Sequence, residues 1–170
     1  DAGRVIRFRE DDVRVMGRGA TGVRGMRLVG NGPGEESVET AEEPALEANG
    51  GDEEREASDD ATPLTARVIA LLVADGADIL TVSEYGYGKR TAIDQFPVRG
   101  RGGQGVIAQA LSGKTGRLVS AVEVSDDHQI MLISDAGHLI RTQAAEVKRL
   151  GRNTQGVRIA RPAEGDRLVG

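Results

Sequence analysis

The chain has 170 residues, of which 38% are hydrophobic, with two Phe, two Tyr, no Trp and no Cys. This length suits one domain or a few repeat units, and aliphatic side chains must fill the core. The lack of cysteine excludes disulfides and thiolate metal sites, and no apolar run approaches the ~18–20 residues that cross a bilayer. We therefore expect a soluble, cytoplasmic protein with no membrane partner.

The net charge of −5 conceals two parts of opposite sign. Between Glu35 and Asp60 the chain has 12 acidic residues and one basic residue, Arg55, which gives this stretch a charge of −11. The rest of the chain has 21 basic and 15 acidic residues, a charge of +6. This asymmetry indicates a basic body suited to an anionic partner.

Apolar residues alternate with polar ones in some short stretches and form short continuous runs in others, and both patterns are typical of strands. In chain order, strands are predicted around Arg7, around Arg14 between Val13 and Val15, and at 23–28, 66–73, 79–82, 117–124 and 130–133. Between Gly30 and Pro63 the alternation fails, and the acidic composition predicts a disordered surface insert. Gln143–Leu150 is the only short candidate for a helix.

A seven-residue loop occurs three times, each copy with Gly-Arg, three small or polar residues and a final Gly that Val follows. The first loop is Met16–Gly22, the second loop is Arg99–Gly105 and the third loop is Leu150–Gly156. Ten residues before the glycine of each Gly-Arg pair stands an arginine: Arg7, Arg90 and Arg141. Four residues before each of these arginines stands a glycine: Gly3, Gly86 and Gly137. Equivalent residues are 83 and then 51 positions apart, and the difference matches the acidic insert. The chain is therefore a repeat protein.

One repeat comprises about four short strands in roughly 50 residues, the size of a propeller blade. The predicted units are the later part of one blade (1–29), the acidic insert (30–63), two blades (64–113 and 114–166) and the start of a further strand (167–170). Both ends of the chain fall inside a repeat. The sequence therefore predicts either a segment of a larger ring or end blades completed by strand exchange.

Three segments resemble the C-terminal domain of the A subunit of bacterial DNA gyrase: Glu84–Ala92, Asp135–Thr142 and Gly151–Val157. The resemblance covers the chain outside the insert and is to the later blades of that domain. It implies an all-β, six-bladed β-pinwheel, a propeller-like ring in which a strand passes between neighbouring blades. It also implies a non-catalytic module that wraps duplex DNA and biases strand passage toward negative supercoiling.

The family carries a signature heptad, Gln-Arg-Arg-Gly-Gly-Lys-Gly, which the second loop resembles only in part. They agree at Arg101, Gly102, Gly103 and Gly105 and differ at Arg99, Gly100 and Gln104. The heptad therefore leaves topoisomerase IV open as an alternative to gyrase. A propeller-type scaffold whose basic face binds an acidic protein is a second alternative.

The resemblance further implies the partners and the cofactors. The implied partners are double-stranded DNA, the rest of the gyrase A subunit and the gyrase B subunit. The implied location is the bacterial cytoplasm, at the nucleoid. No cofactor is implied in this domain, because ATP and Mg²⁺ act elsewhere in the holoenzyme. The tyrosine that cuts DNA lies in another part of the A subunit, so neither Tyr85 nor Tyr87 takes that role. We expect no catalytic residue and no metal site.

The repeated loops are the candidate DNA-binding elements, because glycine lets backbone amides approach a phosphate while arginine supplies charge. We predict loop contacts at Arg18, Arg101 and Arg152, supported by Lys89, Arg99, Lys148, Arg149 and Arg158. The alternative is that these glycines only form turns and the arginines are solvated. For Arg7, Arg90 and Arg141 we favour a structural role, bracing blade against blade through a carboxylate such as Asp135.

Two other patterns carry less weight. The first and second loops spell G-x-G-x-x-G, but β-alternation follows them where a dinucleotide site needs a helix. His128 and His138 have no ligand companions at metal-binding spacing, so both are predicted to be surface residues.

The acidic insert is either a tolerated solvated loop or an intramolecular DNA mimic that covers the basic body. In the second case, deleting residues 35–60 should tighten duplex binding, most clearly at low salt, because the competing charge of −11 is gone. Titration of a labelled duplex at several salt concentrations measures this. Equal affinities for the two proteins at every salt concentration would contradict the mimic.

Overall fold

The computed structural model describes residues 1–28 and 66–170, and within them all regular structure is strands and single 3₁₀ turns. The strands are β1 (Arg4–Val5), β2 (Asp78–Ser83), β3 (Tyr87–Ala92), β4 (Val106–Ile107), β5 (Leu118–Val124), β6 (Gln129–Ile133), β7 (Leu139–Gln143) and β8 (Val157–Arg158). The 3₁₀ turns are Glu10–Asp12, Ile93–Gln95 and Ala144–Glu146, at equivalent positions of the three repeats. The predicted all-β class is confirmed, and the predicted insert at 30–63 lies outside the described residues.

The central sheet has four antiparallel strands in the order β5-β2-β3-β8. The β2–β3 hairpin belongs to one repeat, and Leu80 faces Arg90 in its register. The strands on either side come from the next repeat: β5 pairs with β2, and β8 pairs with β3 through Tyr87 and Arg158. Strand exchange between neighbouring repeats, expected for a pinwheel, is therefore present.

The same exchange recurs on both sides of the central sheet. In the first repeat β1 pairs with β4, with Arg4 opposite Ile107, which repeats the β3–β8 pairing. In the third repeat the β6–β7 hairpin takes the chain end as a neighbour, through a bridge between Ser134 and Leu168. The central sheet draws strands from both sides of residue 113, so the sequence repeats and the sheets do not coincide, and the predicted boundaries at 113 and 166 stay predictions.

The core lies between the sheets and is aliphatic, as the composition requires. β2 is buried along its whole length, so its alternate residues face two clusters. Leu80 and Val82 pack with Leu168 at the chain end and with residues of the third repeat, namely Val124, Ile130, Leu132, Ala144, Val147 and Ala160. Ile79, on the opposite face, packs with Phe96 and Ala108. The β2–β3 hairpin thus buries its two faces against different neighbours, which ties the repeats together.

Glycine is required where the exchanged strand arrives. Gly105 and Gly156, the last residues of the second and third loops, have φ of 73° and 85°, in the region that other residues rarely adopt. A Cβ at Gly105 would lie 2.1 Å from the Val5 carbonyl oxygen, and one at Gly156 would lie 2.7 Å from that of Gly88. The loops therefore end in glycine because the backbone of the preceding repeat leaves no room for a side chain.

Three predicted strands, at 66–73, around Arg14 and at 23–28, are absent from the described residues. Residues 66–73 form no strand, and Val68, Leu71 and Val73 are exposed, although the counterpart β5 is a regular strand. β5 forms because β2 supplies its hydrogen-bond partners, and no described hairpin lies beside 66–73. Val13 and Val15 also form no strand, and Val15 is fully exposed. The counterpart of Val15, Val98, is held by a bridge to the preceding repeat.

The remaining predicted elements are confirmed in part. The strands predicted at 79–82, 117–124 and 130–133 correspond to β2, β5 and β6. The segment around Arg7 has only β1 and a bridge to Val98, and 23–28 contacts the second loop without forming a regular strand. The helix candidate Gln143–Leu150 contains only a 3₁₀ turn.

Replacing Gly105 by alanine should destabilise the chain more than the same change at Gly22. Gly22 also has a positive φ, of 96°, but nothing lies within 4 Å of the place that a Cβ would take, so Gly22→Ala should cost about 1 kcal/mol. Gly105→Ala adds the clash with Val5 and should cost a further ~1–3 kcal/mol. Urea unfolding of both variants measures the difference, and equal losses would contradict this account of the loop end.

Candidate nucleic-acid interface

Each Gly-Arg loop follows a 3₁₀ turn, and the second and third loops, which lead into exchanged strands, dock on the preceding repeat in the same way. The Arg101 guanidinium donates from Nη1 to the Arg24 carbonyl oxygen at 3.3 Å, and the Arg152 guanidinium donates from Nη1 to that of Ile107 at 3.4 Å. Arg24 and Ile107 occupy equivalent positions, 83 residues apart. The two arginines are therefore held at corresponding places along the array.

Further contacts fix the direction of these guanidinium groups and leave part of each available. Arg101 also donates from Nε to the Asp12 carbonyl oxygen at 3.0 Å, and Arg152 donates to the Asn153 side chain at 3.0 Å. Arginine has five N–H donors, so about three remain on each group for another acceptor. Arg101 is exposed and Arg152 is half-buried at the surface. This arrangement can present a charged donor to a phosphate at low entropic cost.

The first loop differs from the other two. Arg18 is exposed, and its side chain makes no hydrogen bond or ion pair with any residue in 1–28 or 66–170. The loop is closed by a hydrogen bond from the Ala20 amide to the Gly17 carbonyl oxygen at 3.0 Å. Arg18 therefore has the charge required for a phosphate contact but not the anchoring of Arg101 and Arg152.

The supporting cations fall into two groups. Arg99 and Lys148 are exposed, and their backbones bond to the backbones of the strand arginines. The Arg99 amide donates to the Arg7 carbonyl oxygen, and the Lys148 carbonyl oxygen accepts from the Arg90 amide. Arg149 and Arg158 are exposed but engaged, Arg149 with Asp78 at 2.7 Å and Arg158 with the Tyr87 hydroxyl at 2.8 Å. The assignment of all four as DNA contacts stays a prediction.

Tyr87 organises a small cationic patch that the sequence pattern did not indicate. The Arg158 guanidinium lies 5.0 Å from the centre of its ring and Lys114 Nζ lies 5.5 Å from it, both within cation–π range. The hydrogen bond from Arg158 lowers the pKa of the Tyr87 hydroxyl. Lys114 and Arg158 are far apart along the chain, so only the fold brings them to one ring.

Lys89 is not at the surface, and its assignment as a direct DNA contact is wrong. It is fully buried on β3, where its ammonium donates to the carbonyl oxygens of Gly151, Arg152 and Thr154 at 2.7, 2.5 and 2.9 Å. Comparison of the repeats could have predicted this burial, because the residues equivalent to Lys89 are Ile6 and Ile140. A position that is apolar in the neighbouring repeats faces the interior, so a lysine there must find acceptors inside.

Two of the three strand arginines, Arg7 and Arg90, brace neighbouring repeats, chiefly through carbonyl oxygens; the bracing role predicted for Arg141 is not seen among the described residues. Arg7 donates to the carbonyl oxygens of Ile93 and Phe96 at 3.1 and 3.2 Å, and Arg90 donates to that of Val147 at 2.9 Å. Phe96 and Val147 are equivalent residues, each following a 3₁₀ turn. The acceptors include no Asp135, which pairs instead with Arg167 at 3.8 Å.

Arg90 also contacts two carboxylates, which Arg7 does not. Its guanidinium lies 3.7 Å from the buried Asp78 carboxylate and bonds to Asp126. The hydrogen bond and charge of Arg90 lower the pKa of Asp126, while Asp78 raises the pKa of Arg149. A cluster of two arginines and two aspartates therefore joins β2 to the third repeat.

His128 and His138 are exposed, as predicted, but His138 has a carboxylate neighbour. Its Nδ1 lies 3.2 Å from Asp166, and hydrogen bonds from Ser134 first, then from the Ala136 amide, lower the pKa of Asp166 to about 2. This cluster fastens the chain end to the β6–β7 turn. Within 1–28 and 66–170, no group of three or more His, Asp or Glu side chains could hold a metal ion, and no helix has the length and apolar character to cross a membrane.

The chain is similar to proteins of one family. The family model for the DNA gyrase C-terminal domain, a beta-propeller, matches residues 1–32, 77–125 and 128–170. The DNA gyrase A subunit of Pseudomonas aeruginosa is 45% identical over 170 residues, covering 99% of this chain and 15% of the relative. The corresponding protein of Salmonella typhimurium is 42% identical over 170 residues, covering 99% and 16%. The chain thus spans only a small part of these relatives.

Two solved structures have a similar fold. The first, described as the structure of DNA gyrase A C-terminal domain, has a TM-score of 0.67 at 26% identity and covers 99% of this chain and 46% of its own. The second is the C-terminal domain of DNA topoisomerase IV, with a TM-score of 0.53 at 17% identity, covering 58% of this chain and 31% of its own. The second likeness shows the fold alone.

Arg90→Met should destabilise the chain far more than Arg141→Met, although the two arginines are repeat equivalents. Arg90→Met leaves the Val147 carbonyl oxygen without this donor and removes the positive charge that lies 3.7 Å from the buried Asp78 carboxylate. We expect a loss of ~2–3 kcal/mol, below the ~3–5 kcal/mol for an orphaned buried charge because Arg149 still reaches Asp78.

Arg141 is the matched control. It is exposed and bonds only to the Gln129 side chain among the described residues, so its replacement should cost less than ~0.5 kcal/mol. Urea unfolding free energies of both variants measure the contrast, and similar losses would mean that Arg90 does not brace the repeats.

Proposed function

The chain belongs to the family of the C-terminal domain of the DNA gyrase A subunit, and from this we propose that it is a non-catalytic module that binds and wraps duplex DNA. The module acts in the holoenzyme, together with the rest of the A subunit and with the B subunit. There its wrapping of DNA supports the introduction of negative supercoils. The observation that carries the proposal is the equivalent anchoring of Arg101 and Arg152. Two guanidinium groups at one position of successive repeats form the start of a track for a phosphate backbone.

The charge distribution supports a duplex backbone as the ligand. Outside residues 35–60 the chain carries +6, and the three loop arginines recur at one position of the repeat. Smoothly bending a 20–30 base-pair site costs on the order of 1–6 kcal/mol, which several distributed phosphate contacts can offset. With two Tyr and two Phe in the chain, a stacking platform for single strands has little support.

The wrapping proposal predicts that affinity rises with duplex length, because a longer duplex reaches more loops. In a gel-shift titration, a duplex of about 60 base pairs should bind more tightly than one of about 20. Log K should fall linearly with log salt, at about 0.9 per phosphate neutralised. Weak binding that is independent of length would favour the acidic-protein scaffold instead.

Single substitutions locate the contacts. Arg101→Ala and Arg152→Ala should each weaken binding to all duplex sequences alike and reduce the salt slope by about 0.9, because each removes one phosphate contact. Arg167→Ala is the charge-matched control, since this guanidinium lies beside Asp135 at the β6–β7 turn rather than on a loop. An equal loss in Arg167→Ala would mean that only total charge matters. Supercoiling by the intact holoenzyme then tests the contribution to topology.

A further inference from the structure

We propose that Lys89 is a positioning residue that holds the third loop in the form that presents Arg152 and two backbone amides to one phosphate group. The inference deepens the proposed function and rests on it for the identity of the ligand. It makes the third loop a preorganised anion site, unlike the second loop, although the two loops have equivalent places in the fold.

The ammonium of Lys89 is completely committed to the loop. It has three N–H donors, and the carbonyl oxygens of Gly151, Arg152 and Thr154 lie 2.7, 2.5 and 2.9 Å from Nζ, with the Thr154 hydroxyl at 3.3 Å. The side chain has no solvent exposure. Three carbonyl oxygens of the third loop are thus drawn to one point beneath it.

Drawing the carbonyls inward turns the following amides outward. In a trans peptide the C=O of one residue and the N–H of the next point in opposite directions, and the described chain has no cis peptide bond. The inward carbonyls of Arg152 and Thr154 therefore direct the amides of Asn153 and Gln155 away from Lys89. Both residues are exposed, and neither amide bonds to a group in the described ranges.

These two amides belong to a loop whose arginine is already anchored. Two outward N–H groups separated by one residue can approach a single anion, and the Arg152 guanidinium adds charge to the site. The Arg152 amide is held by the Gln95 side chain at 3.2 Å, which fixes the start of the loop. The chemical class of ligand that fits is a phosphate monoanion, such as one unit of a nucleic-acid backbone.

The second loop has no such support. The residue equivalent to Lys89 is Ile6, whose Cδ1 would lie 3.9 Å from a Cβ at Gly103, and it cannot bind the loop carbonyls. The third repeat has Ile140 at this position. Of the three repeats in this chain, only the second carries a lysine there.

Burial, and then the nearby charge of Arg152, lower the pKa of Lys89 from 10.5 to about 8. Arg152 is the charged group that acts on it from the third loop, while its register partner on β2, Thr81, is neutral. The amine is therefore charged at pH 7 and loses its charge as the pH rises through about 8, where it has one donor fewer. The hold on the loop weakens over the same range.

A double-mutant cycle on the full chain tests the role at pH 7 with a long duplex. Lys89→Met and Arg152→Ala should each weaken binding about tenfold, and the double variant should be weakened by clearly less than the product of the two effects, because both changes disrupt the same phosphate site. Arg18→Ala should add its own loss to that of Lys89→Met. Additive losses for Lys89→Met and Arg152→Ala would overturn the proposal.

A second measurement needs neither a variant nor DNA. Carbon-detected NMR should show the carbonyl signals of Gly151, Arg152 and Thr154 shifting together as the pH is raised, with a midpoint of about 8. The equivalent carbonyls of the second loop, Gly100, Arg101 and Gly103, are the internal control and should not follow that midpoint. Third-loop signals that do not titrate would overturn the proposal. Titrating signals in a chain that binds no duplex would support the hold of Lys89 and refute the proposed function alone.

Discussion

The fold depends on hydrogen bonds that cross from one repeat to the next. A two-stranded hairpin is marginally stable and exposes two unpaired edges, and here both edges of β2–β3 are covered by strands of the following repeat. The covering strand β8 is only two residues long, and its backbone approaches β3 closely at its start. The residue before β8, Gly156, provides the room, because it has no side chain to meet the Gly88 carbonyl oxygen. The β2–β3 hairpin therefore has no complete sheet of its own, and folding of its repeat requires the neighbour.

Arginine side chains reinforce this dependence in two directions. Arg7 and Arg90, on the strands, reach forward to the carbonyl oxygen that follows the 3₁₀ turn of the next repeat. Arg101 and Arg152, on the loops, reach back to carbonyl oxygens of the preceding repeat. Similar side chains thus perform two tasks, and the loop arginines keep donors directed to the surface. This division explains why the strand arginines are structural while the loop arginines suit an external anion.

Much of the fold could be predicted from the sequence, because apolar alternation and repeat spacing are local signals. β2, β5 and β6 follow directly from their short aliphatic segments, and strand exchange follows from the family resemblance. The strand predicted at 66–73 is wrong for a physical reason: its side chains suit a strand, but a strand also requires a paired edge. Sequence pattern reports the first condition and not the second.

The candidate site was harder to predict. Backbone carbonyl oxygens have no sequence signature, so the acceptors of Arg101, Arg152 and Lys89 could not be identified before the fold was known. Comparison of the repeats does indicate that Lys89 is buried, since isoleucine occupies both equivalent positions. A cation among aliphatic equivalents indicates an internal donor, whereas charge alone suggested a surface contact. The predicted loop contacts themselves remain predictions.

The backward contact of the loop arginines has one more consequence. Because Arg101 and Arg152 are tethered to the preceding repeat, the interval between successive charges follows the angle at which repeats pack, not the flexibility of the loops. For a duplex lying along these loops, the pitch of its path is thus set by buried residues such as Phe96 and Val147. Under the proposed function, repacking this interior would change the curvature of the bound duplex without altering any residue that touches it.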